Sequence, residues 1–323
     1  MIGTSNCSWT THERRGMRWK GAIAGTVLVL LSYQPASAAE EEPFYKQATR
    51  AVFRLQTHQS VCVAGRSVSE EVFPPVGTAF FVEDYLGPEP ILWAVTARHV
   101  VAQHVGADLF AKVRLGADKP KDQWLRLPSQ KWFVLNDGSS DKAFPTDVAV
   151  MPLTPADGYK SFVYCSGKNC PVKDPPVTGR IENQLGEDPT VPDPVLLLGF
   201  PSEGSAVGAL EPFARAGIVA YSTRDARFQF DSKPMFDLGA FVIDAFGWPG
   251  NSGGPVMSQP LPLSGPLRLL GLITGSHLPS FDFSIVTPVS SIKRVLDAAR
   301  AARLTAIDGW LSSYKPEPHA CGR

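Results

Sequence analysis

From Thr78 onward the apolar residues come in short β-prone runs, and glycine or proline breaks nearly every one. Thr78-Ala79-Phe80-Phe81-Val82 is followed by a turn-rich stretch from Asp84 to Pro90, then by Ile91-Leu92-Trp93-Ala94-Val95-Thr96. Later runs of the same kind are Trp132 to Leu135, Val148 to Leu153, Val195 to Phe200, Ala216 to Ser222, Phe241 to Ile243 and Leu269 to Ile273. Such runs suit strands, because a helical bundle needs longer stretches with apolar residues at a period of about 3.6. The 28 glycines and 29 prolines are scattered, as many tight turns require. Helical spacing is sustained only near the end, where Ile292, Val295, Leu296 and Ala299 mark a helix over Val289 to Leu304. Residues 44–56 read as a short helix leading into a strand. There is no internal repeat and no heptad pattern. The polar, proline-rich stretch 166–194 reads as a connection between two β units, 44–165 and 195–304, with 305–323 as a tail. The expected class is all-β with a C-terminal helix.

The first 38 residues read as an export signal. Arg14, Arg15, Arg18 and Lys20 precede an apolar run from Ala22 to Leu31, and Ala36-Ser37-Ala38 supplies a small-x-small cleavage site. Met17 is an alternative start. The apolar run is shorter than the roughly 20 residues of a membrane span, so no permanent span is expected after cleavage. The expected location is the bacterial periplasm or the exterior. Cys62, Cys165, Cys170 and Cys321 remain in the mature chain and allow three pairings. The short spacing of Cys165 and Cys170 favours that pair, with Cys62–Cys321 as its complement. No metal site is expected, since one closely spaced cysteine pair without a neighbouring histidine is a poor ligand set. Thirty-one basic residues balance thirty-one acidic ones, so no nucleic-acid partner is expected.

Three short motifs carry chemistry. In Gly250-Asn251-Ser252-Gly253-Gly254-Pro255-Val256, glycines on both sides of a serine permit a tight turn that leaves its hydroxyl exposed. The same turn can aim the N–H groups of Gly250 and Ser252 at one point, as an oxyanion requires. In Ala94-Val95-Thr96-Ala97-Arg98-His99-Val100 an apolar strand ends by delivering a histidine, and in Thr146-Asp147-Val148-Ala149 an aspartate enters a strand. A serine hydroxyl is a weak nucleophile until an imidazole takes its proton, and the imidazole needs a carboxylate to hold its tautomer. Singly, each motif is commonplace. Together, and in the order His99, Asp147, Ser252, they are specific.

This set resembles the trypsin/chymotrypsin superfamily, marked by Thr-Ala-x-His, an aspartate starting an apolar strand, and Gly-x-Ser-Gly-Gly-Pro. The stretch Asp244-Ala245 followed by Pro249-Gly250-Asn251-Ser252-Gly253-Gly254-Pro255 is most similar to the bacterial high-temperature-requirement (Deg-type) proteases. The resemblance spans roughly residues 45–300. It implies a double six-stranded β-barrel of the chymotrypsin type, with His99 and Asp147 in the first barrel and Ser252 in the second. It implies a serine endopeptidase acting on proteins or peptides without a cofactor. It further implies that Thr274, Gly275 and Ser276, on the strand beginning near Leu270, line up a bound peptide's backbone. Phe246, six residues before Ser252, falls at the base of the primary specificity pocket, where an aromatic side chain disfavours Arg or Lys.

The departures are informative. No Ile-Val-Gly-Gly-like terminus precedes the domain, and Asn251 stands where an acidic residue would receive one, so activation by N-terminal cleavage is not expected. About 20 residues follow the terminal helix, too few for a PDZ module. Two rival readings exist. Gly250-Asn251-Ser252-Gly253-Gly254 also fits the nucleophile elbow of α/β-hydrolases, with Asp282 or Asp297 and His319 downstream, but that fold needs a helix after the serine. The other rival is a protease-like peptide-binding module without activity. His104, His277 and Asp141 are weaker candidates: His104 lies five residues past His99 without the strand-end context, His277 follows the expected substrate strand and could line the cleft, and Asp141 reads as solvated in a Gly-Ser-Ser-Asp loop.

Overall fold

The computed structural model describes residues 49, 51–64, 66, 68–84, 91–115, 121–135, 146–154, 189–202, 211–222, 229–230, 233–234, 240–258, 268–277, 283–316 and 319–321. All of them belong to the compact unit Glu41–Arg323. The expected signal segment, Asp141, Asp282, and the Cys165 and Cys170 pair lie outside the described residues.

The strands of the first half are β1 (Val52–Thr57), β2 (Gln59–Cys62), β3 (Ser69–Val72), β4 (Pro75–Asp84), β5 (Ile91–Thr96), β6 (Leu109–Leu115), β7 (Lys121–Leu127), β8 (Phe133–Val134) and β9 (Ala149–Leu153). Those of the second are β10 (Pro194–Gly199), β11 (Phe213–Ser222), β12 (Gln229–Phe230), β13 (Lys233–Pro234), β14 (Phe241–Asp244), β15 (Pro255–Ser258), β16 (Leu269–His277), β17 (Phe283–Pro288) and β18 (Trp310–Leu311). Helix α1 (Arg98–Ala102) follows β5, and helix α2 (Val289–Ala301) follows β17. The protein is mostly β, with a C-terminal helix, as its sequence texture indicates.

Six strands close into a barrel in the order β10-β11-β14-β17-β16-β15. The first half forms instead an open, half-barrel sheet in the order β18-β7-β6-β1-β4-β5-β9-β8. The two-barrel arrangement that the resemblance implies is thus present as one closed six-stranded barrel and one half-barrel. The tail lies at one end of this sheet: β18 occupies the outer edge of β7, with Trp310 opposite Leu125 and Leu311 opposite Trp124. Capping an edge strand in this way removes a row of unpaired backbone groups from solvent.

Strand β10 explains how the two sheets join. Val195 and Leu197 face the interior of the closed barrel with Val219, Ile243, Val256 and Ile273. Leu198 and Phe200 face the other way, into the core that Phe53, Phe81, Trp93 and Met151 build under the first sheet. A strand buried on both sides must read as an unbroken apolar run, which is what Val195 to Phe200 shows. Ile292, Val295, Leu296 and Ala299 of α2 join that same core. The helix ends at Ala301, three residues short of the expected Leu304, where Arg303 adopts a left-handed φ of 51°.

The last residues fasten the first sheet. Ile307 bridges Leu153 in parallel, and Trp310 Nε1 donates to Thr154 O at 2.7 Å. The Tyr314 ring stacks on Phe110 at 4.6 Å, beside His58, whose Nε2 lies 2.5 Å from Glu71 Oε2. The Ser60 hydroxyl, with desolvation opposing and His58 and Ser69 assisting, holds the Glu71 carboxyl below its ordinary range. A disulfide then joins Cys62 to Cys321 across 259 residues of sequence. Cross-links that close long loops restrict the unfolded chain most. The double variant Cys62→Ala/Cys321→Ala is therefore expected to lose about 2–5 kcal/mol in urea unfolding. An unchanged midpoint would show that the tail's other contacts suffice.

Candidate active site

Strand β5 runs straight into α1, with Ala97 as the extended residue between them. His99 thus falls in the first turn, where helical N–H groups lack internal partners. Asp147, just ahead of β9, supplies the missing acceptor: its Oδ1 accepts from the His99 backbone N–H at 2.8 Å. Its Oδ2 lies 2.7 Å from His99 Nδ1. An ionised carboxylate can only accept, so it fixes the proton on Nδ1 and leaves Nε2 as the basic nitrogen. The two side chains are 34% and 26% exposed, so the pair opens to solvent on one side.

The serine turn is built by contacts that tolerate no side chain. Gly250 and Gly253 have φ of 93° and 86°, a region that favours glycine. A Cβ on Gly250 would lie 2.5 Å from Phe200 O; one on Gly253 would lie 2.2 Å from Thr78 O and from Thr96 Oγ1, and 3.0 Å from Ala97 N. The turn therefore rests directly on Thr78 of β4 and on the end of β5, two residues from His99. Thr78 is the hub. Its hydroxyl donates to Gly250 O at 2.7 Å and accepts from Phe200 N–H at 3.0 Å, while its own N–H donates to Ser252 O at 2.8 Å. Thr96 Oγ1 donates to Thr78 O at 2.7 Å, which locks β5 to this hub. In the sequence Thr78 reads only as a strand residue, because Phe200, Gly250 and Ser252 lie more than a hundred residues away.

Around the turn, the N–H of Asn251 donates to Trp248 O (3.0 Å), that of Gly253 to Ile273 O (2.7 Å) and that of Gly254 to Asn251 O (2.8 Å). Among the described residues, the N–H groups of Gly250 and Ser252 and the Ser252 hydroxyl have no hydrogen-bond partner. Asn251 is buried against Gly199, with Oδ1 lacking a partner among the described residues.

Strand β16 pairs with β15 only as far as Leu272, whereas it pairs with β17 as far as His277. After Ile273, whose N–H and C=O bond to Gly254 and Gly253, the edge at Thr274, Gly275 and Ser276 has no strand beside it among the described residues. Phe246 is half-buried; its carbonyl accepts from Arg215 Nη1 at 2.8 Å. The Arg215 guanidinium lies 5.8 Å from the Phe246 ring centre and 4.6 Å from that of Trp248. Arg215 and Trp248 are new to the site: nothing in β11 marked this arginine as a partner of the segment before Ser252. His104 lies just beyond α1, and burial pushes its imidazole below the ordinary value. His277 ends β16. Among the described residues no cluster of three His, Cys, Asp or Glu could hold a metal, and no helix is long and apolar enough to cross a membrane. Ser252 precedes strand β15 in an antiparallel barrel, so the strand-turn-helix of the α/β-hydrolase reading is overturned.

A family model described as a trypsin-like peptidase domain matches residues 77–260. Among solved structures, the HtrA-type protease AlgW with decapeptide is 18% identical with a TM-score of 0.47, over 80% of this chain and 67% of that one. The Rv3671c protease from M. tuberculosis, active form, is 18% identical with a TM-score of 0.43, over 84% and 87% of the two chains. The serine endoprotease from Yersinia pestis is 16% identical with a TM-score of 0.41, over 79% and 64%. No curated protein matches the chain.

Proposed function

Because the chain belongs to the trypsin-like peptidase domain family, we propose that it is an exported serine endopeptidase in which Ser252, His99 and Asp147 act as one catalytic unit. The observation that carries this reading is the two-point grip of Asp147 on His99, at 2.8 and 2.7 Å, beside a serine turn seated on Thr78, Thr96 and Ala97. Ser252 attacks the scissile carbonyl while His99 Nε2 removes its proton. Asp147 holds the tautomer and stabilises the imidazolium. The N–H groups of Gly250 and Ser252, the two in this turn without partners among the described residues, receive the oxyanion. His99 then gives its proton to the leaving amine, and water hydrolyses the acyl-enzyme by the reverse sequence.

The substrate is an extended peptide that adds a strand along Thr274, Gly275 and Ser276 of β16, so that backbone hydrogen bonds supply most of the grip. Phe246, braced by Arg215, shapes the specificity pocket and disfavours cationic side chains. The Cys62–Cys321 disulfide supports maturation in an oxidising compartment such as the periplasm or the exterior.

Fluorophosphonate labelling followed by peptide mapping tests the assignment. The expected result is one adduct, on Ser252, accompanied by casein cleavage that the adduct abolishes. A protein that binds extended peptides yet is never labelled would be a binding module, and labelling without cleavage of any protein would point to an esterase.

A further inference from the structure

The backbone that delivers Asp147 is poorly held by the sheet itself. Pairing of β9 with β5 and with β8 begins only at Ala149, so Thr146, Asp147 and Val148 precede both ladders. A catalytic carboxylate on such a segment needs side-chain anchors, because a displacement of about 1 Å can cost roughly a hundred-fold in rate. One anchor comes from outside the first sheet. Thr146 is fully buried, and its hydroxyl accepts a hydrogen bond from Arg294 Nη2.

Arg294 belongs to α2, which begins directly after β17 of the closed barrel. The neighbouring residues Ile292, Val295 and Leu296 are sunk in the core shared with the first sheet, so the helix is a fixed platform for the arginine. The bond spans 148 residues of sequence and links the second barrel's final helix to the residue before Asp147. A guanidinium suits this task, because its planar fork fixes the direction of the donated bond.

Building on the serine-peptidase reading, we propose that Arg294 is a positioning residue for Asp147: by fixing the Thr146 hydroxyl it sets the carboxylate on the His99 backbone N–H and on Nδ1 together. It touches neither substrate nor reacting atoms. Its effect on catalysis passes through the orientation of His99, so the rate of the chemical step responds and substrate affinity does not.

The test uses the full chain and three variants: Arg294→Met, which keeps the aliphatic stem, Thr146→Val, which keeps the shape of the acceptor residue, and their double. Inactivation by a fluorophosphonate is followed over a range of reagent concentrations, separating the maximal rate from the half-saturating concentration. The low-field proton resonance of the His99–Asp147 hydrogen bond is read alongside. Each single variant is expected to lower the maximal rate about ten-fold without moving the half-saturating concentration, and to shift or broaden the resonance. The double variant is expected to be no slower than either single one, as for two ends of one bond. Wild-type rates in both single variants, additive losses in the double, an unmoved resonance, or a loss that merely tracks the unfolded fraction would each overturn the proposal. A wild-type chain that is never labelled on Ser252 would overturn the peptidase reading and this inference with it, whereas Ser252 labelling at equal rates in all four chains would overturn this inference alone.

Discussion

Replacing Ser252 by alanine is expected to lower turnover of a peptide substrate by about a million-fold while leaving the thermal midpoint in place. The half-buried side chain has no hydrogen-bond partner among the described residues, so its loss breaks no bond that holds the turn. What holds the turn is backbone: Ser252 O still accepts from Thr78 N–H, and Gly253 N–H still donates to Ile273 O. The variant keeps the proposed oxyanion donors at Gly250 and Ser252, so a residual acceleration of about a thousand-fold over water remains. Hydrolysis of a quenched fluorescent peptide at saturating concentration, with a parallel melting curve, reads both effects. A variant retaining a tenth of wild-type turnover would place hydrolysis elsewhere on the chain.

Asp147→Asn is expected to lower kcat about ten-thousand-fold, roughly 5.5 kcal/mol of transition-state stabilisation, again with the fold intact. The structure shows why a near-isosteric change is so costly. Both carboxylate oxygens accept, one from the His99 backbone N–H and the other from Nδ1. An amide offers one acceptor and one donor. If its oxygen stays on the backbone N–H, its NH2 group faces Nδ1, which must then give up its proton. Nε2 becomes the protonated nitrogen and cannot take the proton of Ser252. Steady-state kinetics of the purified variant, normalised to active protein, provides the measurement. A kcat within ten-fold of wild type would mean that Asp147 is a structural capping group and not a catalytic one.

Much of this was legible in the sequence because it is local. Strand β5 has the bounds that its apolar run suggests, Ile91–Thr96, since unbroken apolar texture between a turn and a polar residue leaves few alternatives. The serine motif was legible because Gly250 and Gly253 must adopt left-handed φ, a demand that shows directly in residue choice. The histidine and aspartate motifs drew their meaning from order and context. Other parts were invisible for a common reason. Thr78, Arg215 and Arg294 act through partners 172, 31 and 148 residues away, and a polar side chain carries no mark of such a distant acceptor. The docking of a two-residue strand from near the end of the chain onto the edge of β7 was equally hidden.

By itself, then, the sequence determined an all-β architecture with a closing helix and the three short motifs proposed to bear the chemistry. Those features rest on periodicity and on backbone conformations that particular residues permit or forbid, and both act within a few residues. The tertiary structure alone decided which carboxylate oxygen meets which nitrogen, which N–H groups of the turn stay unspent, and which distant side chains brace the Asp147 and Phe246 segments. Hydrogen bonds fall off within fractions of an ångström, so these outcomes depend on how two sheets and a helix share one core, and no stretch of the chain encodes that alone.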